Sequence, residues 1–84
     1  MEKFDCVLIF NSIHRVMKAE ALLKAKSLKF RLIPVPRSLA SDCGLAMEMF
    51  GPGLDEFKKV LSAGGIEIAE AHLLKNNCYV KIEP

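Results

Sequence analysis

The sequence has no tryptophan, a single tyrosine (Tyr79), and no interleaving of aromatic with basic residues. Single-stranded nucleic acid is held by stacking bases on aromatic rings over a basic groove, and this chain offers neither. Its twelve Lys and Arg are dispersed among ten Asp and Glu for a net charge of +2, so no nucleic-acid partner is expected. Also missing are a glycine-rich phosphate loop, a paired carboxylate site and any His/Cys spacing suited to a metal. Hydrolase, kinase and metalloenzyme chemistry therefore lack residues to perform them, and neither a cofactor nor a metal is expected. The amino terminus, "MEKFDCVLIFNS", has only a short apolar core with an acid on each side of Phe4, which suits neither a signal peptide nor a membrane span. A soluble cytoplasmic protein is the expectation.

The three cysteines, Cys6, Cys43 and Cys78, are an odd number and widely spaced, giving neither a disulfide framework nor a metal knuckle. A reducing compartment fits that pattern. At 84 residues the chain suffices for one domain, residues 1–84, burying roughly 60 to 65% of its unfolded surface. A hydrophobic fraction of 51% is high for so small a domain, so part of its apolar surface is expected to be covered by another copy of itself in a homo-oligomer.

Residues 4–10, "FDCVLIF", are rich in β-formers and apolar on both faces apart from Asp5, which predicts a central strand. Asn11 and Ser12 offer N-cap side chains, and Ile13, Val16, Ala19 and Leu23 form an apolar stripe on a helix over 13–28. Glu20 falls inside that stripe and is expected at its rim, reaching water. Residues 29–36 read as a second strand, which Pro34 and Pro36 place at a sheet edge or end early. A third strand over 44–50 sets Leu45, Met47 and Met49 against Ala46, Glu48 and Phe50, and Gly51-Pro52 breaks it. A second helix starts near Pro52 or Gly53, with Asp55 and Glu56 at its positive end, Leu54, Phe57, Val60 and Leu61 buried, and Lys58 and Lys59 in solvent. Gly64-Gly65 stops it. A fourth strand from Ile66, a turn at Asn76-Asn77 and a short fifth strand, "CYVKI", complete the chain, although "AEAHLLK" also has helical propensity.

The order strand, helix, strand, strand, helix, strand predicts an α+β, ferredoxin-like βαββαβ two-layer sandwich with a short extra C-terminal strand. A right-handed crossover then brings the loop after the second strand to the same end of the sheet as the start of the first helix. That loop holds "RSLASDCGLA". Cys6 and Cys78 lie among bulky apolar neighbours and read as inert core, whereas Ser38, Ser41 and Asp42 precede Cys43 and Gly44 follows it, allowing a sharp turn that aims amides at sulfur. A pKa two units below the free-thiol value, about 2.7 kcal/mol, would make Cys43 mostly thiolate near neutral pH. Arg37, a protonated His14 and the helix terminus opened by Ser12 act in that direction; Asp42 opposes it. His72, the other histidine, falls in the fourth strand and has the weaker claim to act as a base.

The run "HRVMKAEALLKAKSLKFRLIPVPRSLASDCGLAM", followed by a helix and "YVKIEP", resembles a family of small selenium or sulfur carrier-like proteins over nearly the whole chain. Its most specific part is "PVPR" followed, after a Ser-rich spacer, by "CG". The resemblance implies a single α/β domain whose motif positions are Pro36, Arg37, Cys43 and Gly44, and whose Cys-Gly motif carries a chalcogen. The function it implies is a carrier, rather than a true enzyme, that takes sulfur or selenium on Cys43 as a persulfide or selenosulfide and exchanges it between donor and acceptor proteins. The competing expectation is a non-catalytic, dimeric interaction or ligand-sensing module in which Cys43 is incidental. A redox sensor would need a resolving thiol, which buried Cys6 and Cys78 do not offer.

Overall fold

Four consecutive apolar residues, all buried, make up strand β1 (Cys6–Ile9), as a strand enclosed on both faces requires. In the computed structural model, which describes residues 4–39 and 44–83, it is followed by helix α1 (Ile13–Ala25), strand β2 (Phe30–Pro34) and strand β3 (Leu45–Met49). A 3-10 turn (Gly51–Gly53) leads into helix α2 (Leu54–Ala63), and strands β4 (Glu70–Lys75) and β5 (Cys78–Ile82) close the chain. The five strands form one antiparallel sheet in the order β2-β3-β1-β4-β5. This is the small ferredoxin-like two-layer α+β arrangement, with β5 as the additional edge strand.

Alternation along β1 divides the core in two. Cys6 and Leu8, with Phe10 just beyond, face the helices and join Val16, Ala19 and Leu23 of α1, Phe57 and Leu61 of α2, and Met47 and Met49 of β3. Val7 and Ile9 face the other way. They meet Ala46 and are covered by Leu39 of the β2–β3 loop, with Ile33, Val35 and Tyr79 around them.

Both helices end in the same way. In α2 the Gly65 N–H donates to Ser62 C=O (3.0 Å) and the Ile66 N–H to Leu61 C=O (2.9 Å), with Gly65 at φ +76°. That is a Schellman ending, and it buries Ile66 in the core. In α1 the Ser27 N–H reaches Lys24 C=O and the Leu28 N–H reaches Leu23 C=O, both at 3.0 Å. Ser27 takes the left-handed position at φ 57°, so the helix stops at Ala25 and does not run to residue 28.

Several expectations shift at the edges. Ile13, expected in the buried stripe, is 40% exposed because it is the first residue of α1, ahead of the turns that meet the sheet. Strand β4 starts at Glu70, four residues later than expected, since Ile66 serves the helix ending. Lys58 is half-buried, and its ammonium donates to the Glu83 carbonyl (3.3 Å). Glu20 lies at the rim, its carboxylate 3.5 Å from the Lys24 ammonium. Cys78, expected in the core, is exposed. Two helices about 10 Å wide span roughly four strands, so the helix-side face of the fifth, Cys78 and Val80, is left uncovered.

Candidate functional site

Strands β1 and β2 each pair antiparallel with β3, so they run in the same direction and end together. The register Ile33↔Ala46↔Ile9↔Glu70 marks that end of the sheet. From it emerge the start of α1 after β1 and the β2–β3 loop after β2, the juxtaposition expected for Ser12, His14 and the loop.

The loop is closed at its neck, where the Val35 N–H donates to the Gly44 carbonyl (3.3 Å) and extends the β2–β3 register by one pair. Pro36 begins a turn whose central residues are Arg37 and Ser38, with the Leu39 N–H donating to the Pro36 carbonyl (2.9 Å). Arg37 at the apex of this turn is exposed. The chain then reaches back to the sheet through Leu39, only 9% exposed against Val7, Ile9 and Ala46. Gly44 returns the chain to β3 at φ +82°, a left-handed conformation that glycine adopts without the penalty a Cβ brings. The described part of the loop is thus tied to the sheet at two points, its neck and Leu39.

The sequence-predicted site residues separate as follows. Pro36, Arg37 and Gly44 belong to this loop. Cys43, Ser41 and Asp42 lie outside the described residues. Ser12 is the α1 N-cap; its hydroxyl accepts from the Arg15 N–H (3.3 Å) and its carbonyl from the Arg15 and Val16 N–H groups. His14 is exposed on the first turn of α1. Helix α1 lies against one face of the sheet while Leu39 lies on the other, so the described part of the loop turns away from His14.

A histidine that sequence reasoning ranked lower has the more ordered environment. His72 stands opposite Val7 on the helix-free face, is only 6% exposed, and has Nε2 2.9 Å from the Glu70 carboxylate. A carboxylate in that position fixes the ring's orientation. The signal was the alternation of Glu70 and His72 along one face of β4, visible only once the strand's start was known. Further along the same face Arg31 pairs with Glu48 across β2 and β3.

The two other cysteines contrast sharply with a loop thiol. Burial, and then the neighbouring Asp5 carboxylate, push the Cys6 thiol up from 9.0 to about 11, partly offset by Lys58, so it stays protonated at neutral pH. Cys78 opens β5 opposite Lys75, at the end of the sheet away from the loop. Among the described residues no group of His, Cys, Asp or Glu is arranged to hold a metal ion, and no helix is long and apolar enough to cross a membrane.

Residues 5–73, which include the whole loop, match the protein-family model described as "Putative Se/S carrier protein-like". No curated protein and no solved structure matches the chain.

Proposed function

The chain belongs to the Se/S carrier protein-like family, and from that premise we propose that it carries sulfur or selenium on Cys43 between a donor and an acceptor protein. The observation that carries this reading is the family match across residues 5–73, which spans both the closed loop and its Cys-Gly pair. Three features support it. The loop neck is fixed by the Val35–Gly44 bond, Gly44 supplies the left-handed turn directly after the cysteine, and Cys6, held near 11, does not compete as a nucleophile.

The chemistry is an exchange with no net oxidation. The Cys43 thiolate attacks the terminal sulfur of a donor persulfide, the donor's S–S bond breaks, and the donor cysteine leaves as thiolate while Cys43 becomes a persulfide. An acceptor thiolate repeats the attack on the terminal sulfur and releases Cys43. With selenium the same steps run through a selenosulfide. In this reading the positive charge of Arg37, exposed on the loop, favours the thiolate, and the negative charge of Asp42 disfavours it. The donor must present its persulfide on an accessible loop, and an assembly of copies of this chain would leave the same end of the sheet open.

The test is intact-mass measurement after incubation with a cysteine desulfurase and cysteine. Wild type gains about 32 Da per bound sulfur, as does Cys78→Ser, and Cys43→Ser does not. An unmodified wild type, or an adduct that persists in Cys43→Ser, overturns the reading.

A further inference from the structure

Strand β5 is an outer edge of the sheet, on the side that the helices leave uncovered, and it has no part in the loop or its cysteine. The hydrogen bond from the Leu74 N–H to the Asp5 carbonyl (2.7 Å) fixes how this edge is oriented. Residue 74 turns its backbone groups toward β1, so residues 71, 73 and 75 turn theirs toward β5, where they meet residues 82, 80 and 78. Tyr79 and Lys81 therefore turn their N–H and C=O groups outward. Among the described residues no backbone bond reaches them from that side.

Side chains alternate along the same strand. Cys78, Val80 and Ile82 lie on the helix side, and Val80 is 44% exposed because neither helix extends over it. Tyr79 and Lys81 lie on the opposite face, Tyr79 packed toward Val7 and Ile9. No proline interrupts β5, whereas at the other edge of the sheet Pro34 removes an outward N–H from β2. An edge with open backbone groups beside an uncovered apolar side chain is suited to strand addition.

The residues that come opposite decide what adds to it. An antiparallel copy of β5, with a two-fold axis at Val80, sets Val80 against Val80, Cys78 against Ile82, and Tyr79 against Lys81. Apolar residues then meet apolar ones on the helix side, and each lysine stands beside a tyrosine on the other face. No like charges are opposed. With the axis one residue later, Lys81 would face Lys81; one residue earlier, Lys81 would face Asn77, which the hairpin turn holds at φ 65°.

We propose that the β5 edge is a homodimer interface, in which two copies pair β5 with β5 about an axis at Val80 and merge their five-stranded sheets into one. Tyr79 and Lys81 exchange the backbone hydrogen bonds across the interface. Val80 falls in a non-hydrogen-bonded pair, where Cα atoms approach to about 4.5 Å, so its exposed side chain is covered by its own symmetry mate. The axis stands perpendicular to the sheet, which puts the helices of both copies on one face, separated by the two uncovered β5 strands. The β2–β3 loops stand toward the far edges of the merged sheet, and the dimer leaves both open.

The test is sedimentation velocity of the full chain under reducing conditions, from about 1 µM to about 500 µM, with a disulfide-trapping arm. Wild type should pass from monomer to dimer as concentration rises. Val80→Lys sets two ammonium groups against each other at the axis and should weaken the dimer about tenfold or more, whereas Met17→Lys, at an exposed apolar position on α1, should leave it unchanged. In a Cys43→Ser/Cys78→Ser background, Val80→Cys should be cross-linked by oxidised glutathione about tenfold faster than Lys81→Cys, since only residue 80 faces its own copy within disulfide reach. A chain that stays monomeric at the highest concentration overturns the proposal. So does a dimer that Val80→Lys leaves intact or Met17→Lys weakens equally, or cross-linking at equal rates through the two positions.

Discussion

The two faces of one sheet are held by different means. On the helix side Cys6, Leu8, Met47 and Met49 are completely enclosed beneath α1 and α2. On the other side Val7, Ile9 and Ala46 are equally hidden, with Leu39 from the β2–β3 loop as the described anchor over them. One strand, β1, supplies the floor of both. The contrast separates two jobs: the helix side encloses the larger core, and the helix-free side holds Leu39 of the loop to which we assign the carrier chemistry. Among the described loop residues Leu39 is the one buried on this face, and such a contact can open locally without unfolding the domain.

The largest test of this division compares truncations on the two sides. Leu8→Ala removes a fully buried side chain beneath both helices and should cost about 2 to 5 kcal/mol in chemical denaturation. Leu39→Ala should cost about 1 kcal/mol or less globally, because the loop can settle onto the sheet, yet it should speed hydrogen exchange at the Val35 amide that closes the neck. Equal global costs would break the comparison.

Next in size is an effect of pH confined to the helix side. The Cys6 thiol has its folded pKa raised from 9.0 to about 11. A group raised in this way contributes stability that is complete below its unfolded value and disappears as pH rises through the folded one. Wild type should therefore lose about 2 to 3 kcal/mol relative to Cys6→Ala between about pH 9 and 11, read as the difference between their denaturation midpoints. A pH-independent difference would show that burial does not govern this thiol.

The smallest effect belongs to the loop. Gly44→Ala places a Cβ at φ +82° with nothing within 4 Å of it, so backbone strain alone should cost about 1 to 2 kcal/mol, part of it relieved by local opening. The Val35 amide should exchange faster while the Leu8 amide is unchanged. Coupled changes at both would mean that loop and core unfold as one unit.

Much of this architecture was legible in the residues. The apolar run of β1, the stripes of α1 and α2, the prolines that mark β2 as an edge and the Asn76-Asn77 turn each state a local rule that the fold obeys; Asn76 and Asn77 take φ 49° and 65°, as a two-residue hairpin demands. What escaped depends on how far tertiary cover extends. Alternation puts Cys78 on the helix side of β5 correctly, but spacing cannot say that the helices stop short of that strand. Ile13 shows the same limit at a helix start. At the site, sequence identified the loop, its glycine and its place at the end of the sheet. The face over which the loop leans was not legible, because it depends on where Leu39 finds an apolar floor. That direction moves the ordered Glu70–His72 pair closer to consideration than His14.

Because Cys78 is exposed, accessibility alone would let it take sulfur as readily as a loop cysteine. The most direct measurement is therefore peptide-resolved mapping of persulfide after limited loading by a cysteine desulfurase, comparing the peptides that carry Cys6, Cys43 and Cys78. The account predicts sulfur on Cys43 in about tenfold excess over Cys78 and none on Cys6. Equal labelling of Cys43 and Cys78, or label mainly on Cys78, would contradict it.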